Sequence, residues 1–169
     1  ANNSIRNIKN TVERICEHYG EELIYDGEKY YSFPTACVLA EVSETDLCHT
    51  KCGYRARYIQ GTAKMVAEGI VDLNFVKSLP TAQAQRELLK LPGVGPKVAD
   101  CILLYSMQKF DAFPVDVWIK RGLEALYFDG KDVSIKKLQG FAQDRFGDIA
   151  GFAQQYLFHY SRTMLPKQK

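Results

Sequence analysis

Near the middle of the chain, Leu91-Pro-Gly-Val-Gly-Pro96 falls between two helical patterns, and it limits the possible folds more than any other segment. Proline lacks an amide proton and its ring clashes with the preceding turn, so a helix cannot run through it. Glycine allows tight turn angles and close backbone approach. Upstream, Thr81 can cap a helix running to about Lys90. Downstream, Pro96 suits the first turn of a helix running to about Gln108. The segment from about 81 to 108 is therefore expected to be helix, tight turn, helix.

The rest of the chain reads the same way. Ile5, Ile8, Val12, Ile15 and Tyr19 recur at three- and four-residue steps, one face of an amphipathic helix that ends at Gly20. Residues 21–33 form a small hairpin-like or irregular excursion around Tyr25-Asp26-Gly27. Pro34-Thr35 can open a short helix to about Ala40, and Ser43 resembles an N-cap before acidic first-turn residues. Further helices are expected from Arg55 to Glu68, from about Asp116 to Tyr127, from Ser134 to Arg145 and from Ile149 to Thr163, with Leu73 to Val76 as a short apolar stretch. Strand alternation does not recur. The expected fold is all-α, one domain over 1–169 with about eight or more helices and short connections.

Composition narrows the class. The 169 residues are 46% hydrophobic and 25% charged, enough for a real core in one domain. No apolar run approaches the roughly 18 residues of a membrane helix, and no secretory signal opens the chain, so an intracellular protein is expected. Net charge is only +2, so a DNA partner would have to meet clustered rather than numerous basic residues. Cys16, Cys37, Cys48, Cys52 and Cys101 are odd in number and irregular in spacing, which argues against a disulfide framework. Cys48-His49-Thr50-Lys51-Cys52 brings three metal-ligating types together, but a zinc site wants a second ligand pair, and none is suitably spaced. A helix end with two partly buried thiols is the better reading.

The central turn can carry chemistry. Its exposed amides and the following helix N-terminus suit a phosphate oxygen, and its carbonyls could hold a monovalent cation. Such a hairpin grips a DNA backbone without reading sequence. Lys97 lies just inside the second helix, where burial and the positive helix end would lower its pKa and make it nucleophilic. Taken alone, a lysine there is more often a solvated surface residue. Asp116 follows 19 residues later, through a helix and a loop, a spacing that lets the chain double back and bring the two side chains together. A carboxylate there could steady an oxocarbenium-like sugar, or could serve only as an N-cap.

Leu91-Pro-Gly-Val-Gly-Pro-Lys-Val-Ala-Asp-Cys101 with Phe113-Pro-Val-Asp-Val117 resembles the helix-hairpin-helix, Gly/Pro-Asp signature of base-excision DNA glycosylases, closest to the 8-oxoguanine DNA glycosylase branch. The resemblance also takes in Gly53-Tyr54-Arg55-Ala56-Arg57-Tyr58, the opening Asn2-Asn3 and the late Gln154 and Phe158, nearly the whole chain. It implies a bifunctional glycosylase and AP lyase acting on duplex DNA that contains oxidised guanine. Lys97 would attack the sugar C1′ and form a Schiff base, supported by Asp116, with β-elimination nicking the strand. Cys101 would line the base pocket, Phe158 would stack on the base and Gln154 would bond its Watson–Crick edge. Asn2 would fill the gap left by the extruded base, Arg55 would reach the orphaned cytosine and Tyr54 would wedge into the stack. Gly93 and Gly95 would meet phosphate. The carbonyls of Leu89, Leu91 and Val94 would hold a structural Na+ or K+, and neither a required cofactor nor an iron–sulfur cluster is implied.

Three departures from that pattern stand out. Trp118 occupies a position where the eukaryotic enzymes have a phosphate-contacting histidine, and it offers only an indole N–H. Asn7 stands where they have an arginine that helps select cytosine, so opposite-base discrimination would be weaker. Family members also carry an N-terminal sheet domain, which is expected to be lacking here. The sequence reads as a fragment, expected to act as a monomer, with a missing N-terminal segment of the same protein as a candidate partner. The alternatives are a DNA-binding but catalytically impaired fragment, or a helix-hairpin-helix glycosylase for another damaged base.

Overall fold

The computed structural model describes residues 3–165. Among them the chain is helical apart from one two-stranded hairpin, as the periodicity requires. It divides into two compact units, one reaching to Val76 and including Lys90–Gly93, the other comprising Lys77–Leu89 and the chain from Val94 onward.

The first unit opens with α1 (Ile5–Tyr19), capped by the Ser4 side chain, which accepts from the Asn7 amide. Strands β1 (Glu22–Tyr25) and β2 (Glu28–Tyr31) pair antiparallel, with Tyr25 opposite Glu28. Asp26 and Gly27 turn between them at φ 51° and 79°, the positive pair that a tight hairpin requires. Helix α2 (Ala36–Glu41) is capped by Thr35 and α3 (Glu44–Cys48) by Ser43, both as expected. Helix α4 (Ala56–Ala67) follows a short 3-10 turn at Gly53–Arg55. The core is Ile15, Leu39, Ala40, Leu47, Cys52, Ala56 and Ala63. Of the stripe expected to bury along α1, Ile15 does so, whereas Ile5, Ile8 and Val12 stay 67%, 45% and 42% exposed. The period correctly gave a helix, but period alone does not supply a surface to pack against.

Leu73 to Val76, read as an apolar stretch, lies within a further helix, α5 (Leu73–Ser78). The Asp72 carboxylate starts it, accepting from the Asn74 and Phe75 amides.

The second unit contains α6 (Thr81–Leu88), α7 (Pro96–Ser106), α8 (Val117–Tyr127), α9 (Ile135–Phe146) and α10 (Ala150–Met164). Thr81 does not cap α6. Pro80 holds the cap position, and the Thr81 hydroxyl instead donates to Asp111 at 2.6 Å, tying the helix start to the loop before α8. That loop is buried at Ala112, Phe113, Pro114 and Val115. Its Phe110 carbonyl accepts from the Gly151 amide at 2.7 Å, which anchors the start of α10. Helices α8 and α10 cross so closely that a Cβ on Gly122 would lie 2.0 Å from the Ser161 hydroxyl. The core here runs through Phe113, Val115, Ile119, Leu123, Val133, Leu138, Ala142, Ala150 and Leu157, with Phe128, Phe141, Phe146 and Phe158 against it. Burying each of these large side chains stabilises the fold by about 1.5–3 kcal/mol, which fixes where α7, α8 and α10 present their polar faces.

Candidate active site

Helix α7 starts with Gly95 in extended conformation (φ −93°, ψ 177°) and Pro96 in its first turn. Lys97, Cys101 and Tyr105 then follow at four-residue steps, so they share one face. Asp116 caps α8 with one carboxylate oxygen, Oδ1, which accepts from the Trp118 and Ile119 amides at 3.0 and 2.9 Å. That bond pair sets the carboxylate's direction at a helix N-terminus, where negative charge is favoured. The cap and the functional reading of Asp116 are therefore compatible.

The Tyr105 hydroxyl is pushed above its ordinary pKa chiefly by burial, against a hydrogen bond from Gln155, and the charges of Cys101, Lys97 and Asp116 all act on it. Lys97 and Asp116 thus both act electrostatically on a single phenol. Burial of Lys97, however, is corrected, because the residue is exposed. It sits in the first turn of α7, on the open side of a helix whose other side is buried.

Helix α10 contributes Gln154 and Phe158. Gln154 is 4% exposed, and its Nε2 donates to the Pro114 carbonyl at 3.1 Å. Its Oε1 accepts from Gln155 Nε2. The carboxamide expected to read a base edge is thus engaged inside the protein. Phe158 packs against the core, with the Arg162 guanidinium 5.5 Å from its ring centroid. Trp118 is half-buried and carries the Arg121 guanidinium 5.3 Å over its ring, so positive charge stands beside the indole where the sequence offered only an N–H donor.

Under the site, Asp100 is 4% exposed, accepting from Gln85 on α6 and from Gln139 on α9, the latter at 3.1 Å. Burial raises its carboxyl from 3.8 to about 6, opposed by those two hydrogen bonds. The network locks three helices around the residue before Cys101.

The first unit holds the other expected DNA contacts. Tyr54 is 60% exposed, with the Arg55 guanidinium 4.5 Å over its ring and Tyr58 edge-on at 6.2 Å. Arg57 stacks on Tyr58 at 4.8 Å and donates to its hydroxyl at 2.9 Å. Gly93 has φ 75°, and a Cβ there would lie 2.6 Å from the Tyr58 ring, so glycine is required on two counts. Asn2 lies outside the described residues. Asn7 is exposed on α1. Leu91 belongs to this unit and Leu89 and Val94 to the other.

All five cysteines are free thiols. Cys52 is buried and its Sγ donates to the Leu47 carbonyl at 3.1 Å, while Cys48 is exposed, so only one of the two thiols is covered. Among the described residues no group of three or more His, Cys, Asp or Glu could hold a metal ion, and no helix is long and apolar enough to cross a membrane.

Sequence reasoning missed Tyr105, Gln155 and Asp100. Tyr105 was legible as the third member of the Lys97–Cys101 row. Gln155 and the Asp100 network depend on how the helices pack, which no local pattern reveals.

Residues 1–147 match the profile of the HhH-GPD superfamily base excision DNA repair proteins. A probable N-glycosylase/DNA lyase of Methanothermobacter thermautotrophicus is 35% identical over 96% of this chain and 57% of its own length. An N-glycosylase/DNA lyase of Arabidopsis thaliana is 34% identical over 100% of this chain and 48% of its own. Among solved structures, Clostridium acetobutylicum 8-oxoguanine glycosylase/lyase, crystallised with duplex DNA carrying cytosine opposite 8-oxoguanine, is 46% identical. It superposes with a TM-score of 0.91 over 96% of this chain and 56% of that one. The chain spans about half the length of the relatives it matches.

Proposed function

We propose that this chain, which belongs to the HhH-GPD superfamily of base excision DNA repair proteins, excises 8-oxoguanine from duplex DNA and nicks the strand with Lys97 as the nucleophile. What supports this reading is the placing of Lys97 and Cys101 on one face of α7, together with the Asp116 carboxylate fixed at the N-terminus of α8. An amine that attacks a sugar needs a carboxylate nearby to balance developing positive charge, and it needs a pocket beyond it for the base.

The target nucleotide must leave the stack, at a cost of a few kcal/mol. Exposed Tyr54 with Arg55 suits the vacated stack. Gly95, open at the N-terminus of α7, suits a phosphate. The extruded nucleotide itself would cover Lys97 and displace its water. The neutral amine then attacks C1′, the C1′–N9 bond breaks, and its electron pair leaves with the base, which takes up a proton. The attached nitrogen gives up one proton, and the C1′–O4′ bond then breaks to leave a protonated imine, with O4′ taking up a proton. Loss of a C2′ proton and of the 3′ phosphate completes β-elimination. Asp116, aimed by its two amide contacts, faces the positive charge throughout. A monovalent cation on the carbonyls of Leu89, Leu91 and Val94 is proposed on the sequence resemblance alone. Exchange of K+ for a bulky organic cation, read as a loss of DNA affinity, checks it.

Borohydride trapping tests the central claim. The protein should form a covalent adduct with an 8-oxoguanine duplex, and Lys97→Gln should abolish the adduct and lower excision by at least about 10³-fold while DNA binding persists. Nicking retained by that variant would refute the assignment. One observation favours a second reading, excision of another damaged base: Gln154 is already bonded to Pro114 and Gln155. A panel of duplexes carrying different lesions separates the two.

A further inference from the structure

Tyr105 and Gln155 have no part in the mechanism above, yet they stand beside it. Tyr105 closes the Lys97, Cys101, Tyr105 row and is 59% exposed. Its hydroxyl accepts from Gln155 Nε2 at 2.7 Å. The same nitrogen donates to Gln154 Oε1, and Gln154 Nε2 holds the Pro114 carbonyl at 3.1 Å. This chain of bonds is anchored in the buried loop before Asp116. Gln155 Nε2 can only donate, so the phenol's own proton must go elsewhere. Partial burial raises the phenol's pKa above its ordinary value, so the hydroxyl keeps a proton to donate.

Position along the helix decides what the proton meets. Residues eight apart on a helix are about 12 Å apart along its axis. The Lys97 amine would face C1′, and Tyr105 lies two turns further on, past Cys101. A nucleotide whose C1′ meets Lys97 would extend its base, not its sugar, along that row. We propose that Tyr105 donates a hydrogen bond to the departing base, and that Gln155 positions its hydroxyl. As the C1′–N9 bond breaks, the base receives the electron pair, and a fixed neutral donor stabilises that charge without proton transfer. The inference rests on the glycosylase reading above.

Two substrates separate the possibilities: a duplex with 8-oxoguanine, and the same duplex with a preformed abasic site that has no base to receive a bond. Tyr105→Phe in the whole chain should slow base release by about 10- to 100-fold in single turnover. It should leave nicking and borohydride trapping at the abasic site within about twofold. Gln155→Leu should slow base release by about 3- to 10-fold, and the double variant should match Tyr105→Phe, because the two residues act as one unit. Equal loss on both substrates would overturn the proposal in favour of a structural role, and so would no loss on either. A wild-type protein that traps neither duplex would instead refute the glycosylase reading itself.

Discussion

The two units hold their candidate DNA-facing residues in different ways. In the second, Lys97, Cys101 and Tyr105 stand on a helix whose other faces are pinned by Leu103, at 0% exposure, and by the Asp100 network. In the first, Tyr54, Arg55, Arg57 and Tyr58 form an aromatic and cationic cluster linked by ring and guanidinium contacts. Bond-making chemistry tolerates little misplacement of the reacting groups, so its side chains are best borne on packed helices. Contacts with a stack of bases or a phosphate backbone need reach and adaptability, which exposed side chains retain. Each unit also combines buried and open apolar positions. Ile5, Ile8 and Val12 lie open on α1, whereas Ile119, Leu123 and Leu138 are wholly buried.

Leu123→Ala should destabilise the second unit by about 2–5 kcal/mol, through lost burial and the cavity left behind. Val12→Ala on exposed α1 should cost less than about 0.5 kcal/mol. Equal losses in thermal unfolding would erase the contrast between the buried and the open position.

Gly93→Ala should cost about 1–3 kcal/mol, because the new Cβ meets both a positive φ and the Tyr58 ring. The companion Gly95→Ala meets nothing within 4 Å and leaves the left-handed region unused, so the fold should keep its stability within about 0.5 kcal/mol. DNA affinity should still fall, by a similar factor for every sequence, because the missing contact is to backbone. A loss confined to one base would place Gly95 elsewhere in the recognition.

The Asp100 network yields a pH signature. The folded carboxyl sits at about 6 against an ordinary 3.8, so the folded state holds that proton more tightly than the unfolded chain. Its contribution to stability is complete below about pH 4 and is lost as pH rises through 6. Between pH 4 and 7 the wild type should lose on the order of 1–2 kcal/mol from this group, after discounting for partial solvation. Asp100→Asn should lack that component, and parallel unfolding curves for the two proteins would remove the network from the account.

The smallest expected effect is that of Tyr54→Ala. It should leave the melting temperature unchanged within about 1–2 °C while weakening binding to damaged duplex by several-fold. A large loss of stability would show that the cluster of the first unit is a core element rather than an exposed contact surface.

The helices were legible because periodicity and caps are local: Ser4, Thr35, Ser43, Asp116 and Ser134 all accept from amides two or three residues on. So were the glycine turn and the Lys97–Cys101 spacing, which depend on residues a few positions apart. What stayed hidden depends on distance through space. Thr81 leaves its helix to bond Asp111, thirty residues away. Gln154 turns inward to Pro114, forty residues away. Tyr105 gains its partner from fifty residues downstream. The sequence by itself determined the helix-turn-helix, the family and the identity of the nucleophile candidate, because backbone sterics and side-chain chemistry are properties of neighbouring residues. Only the tertiary structure decided that Lys97 is exposed, that Gln154 is occupied and that Gln155 reaches the Tyr105 hydroxyl, because burial and hydrogen-bond choice are settled by whichever distant segment packs alongside.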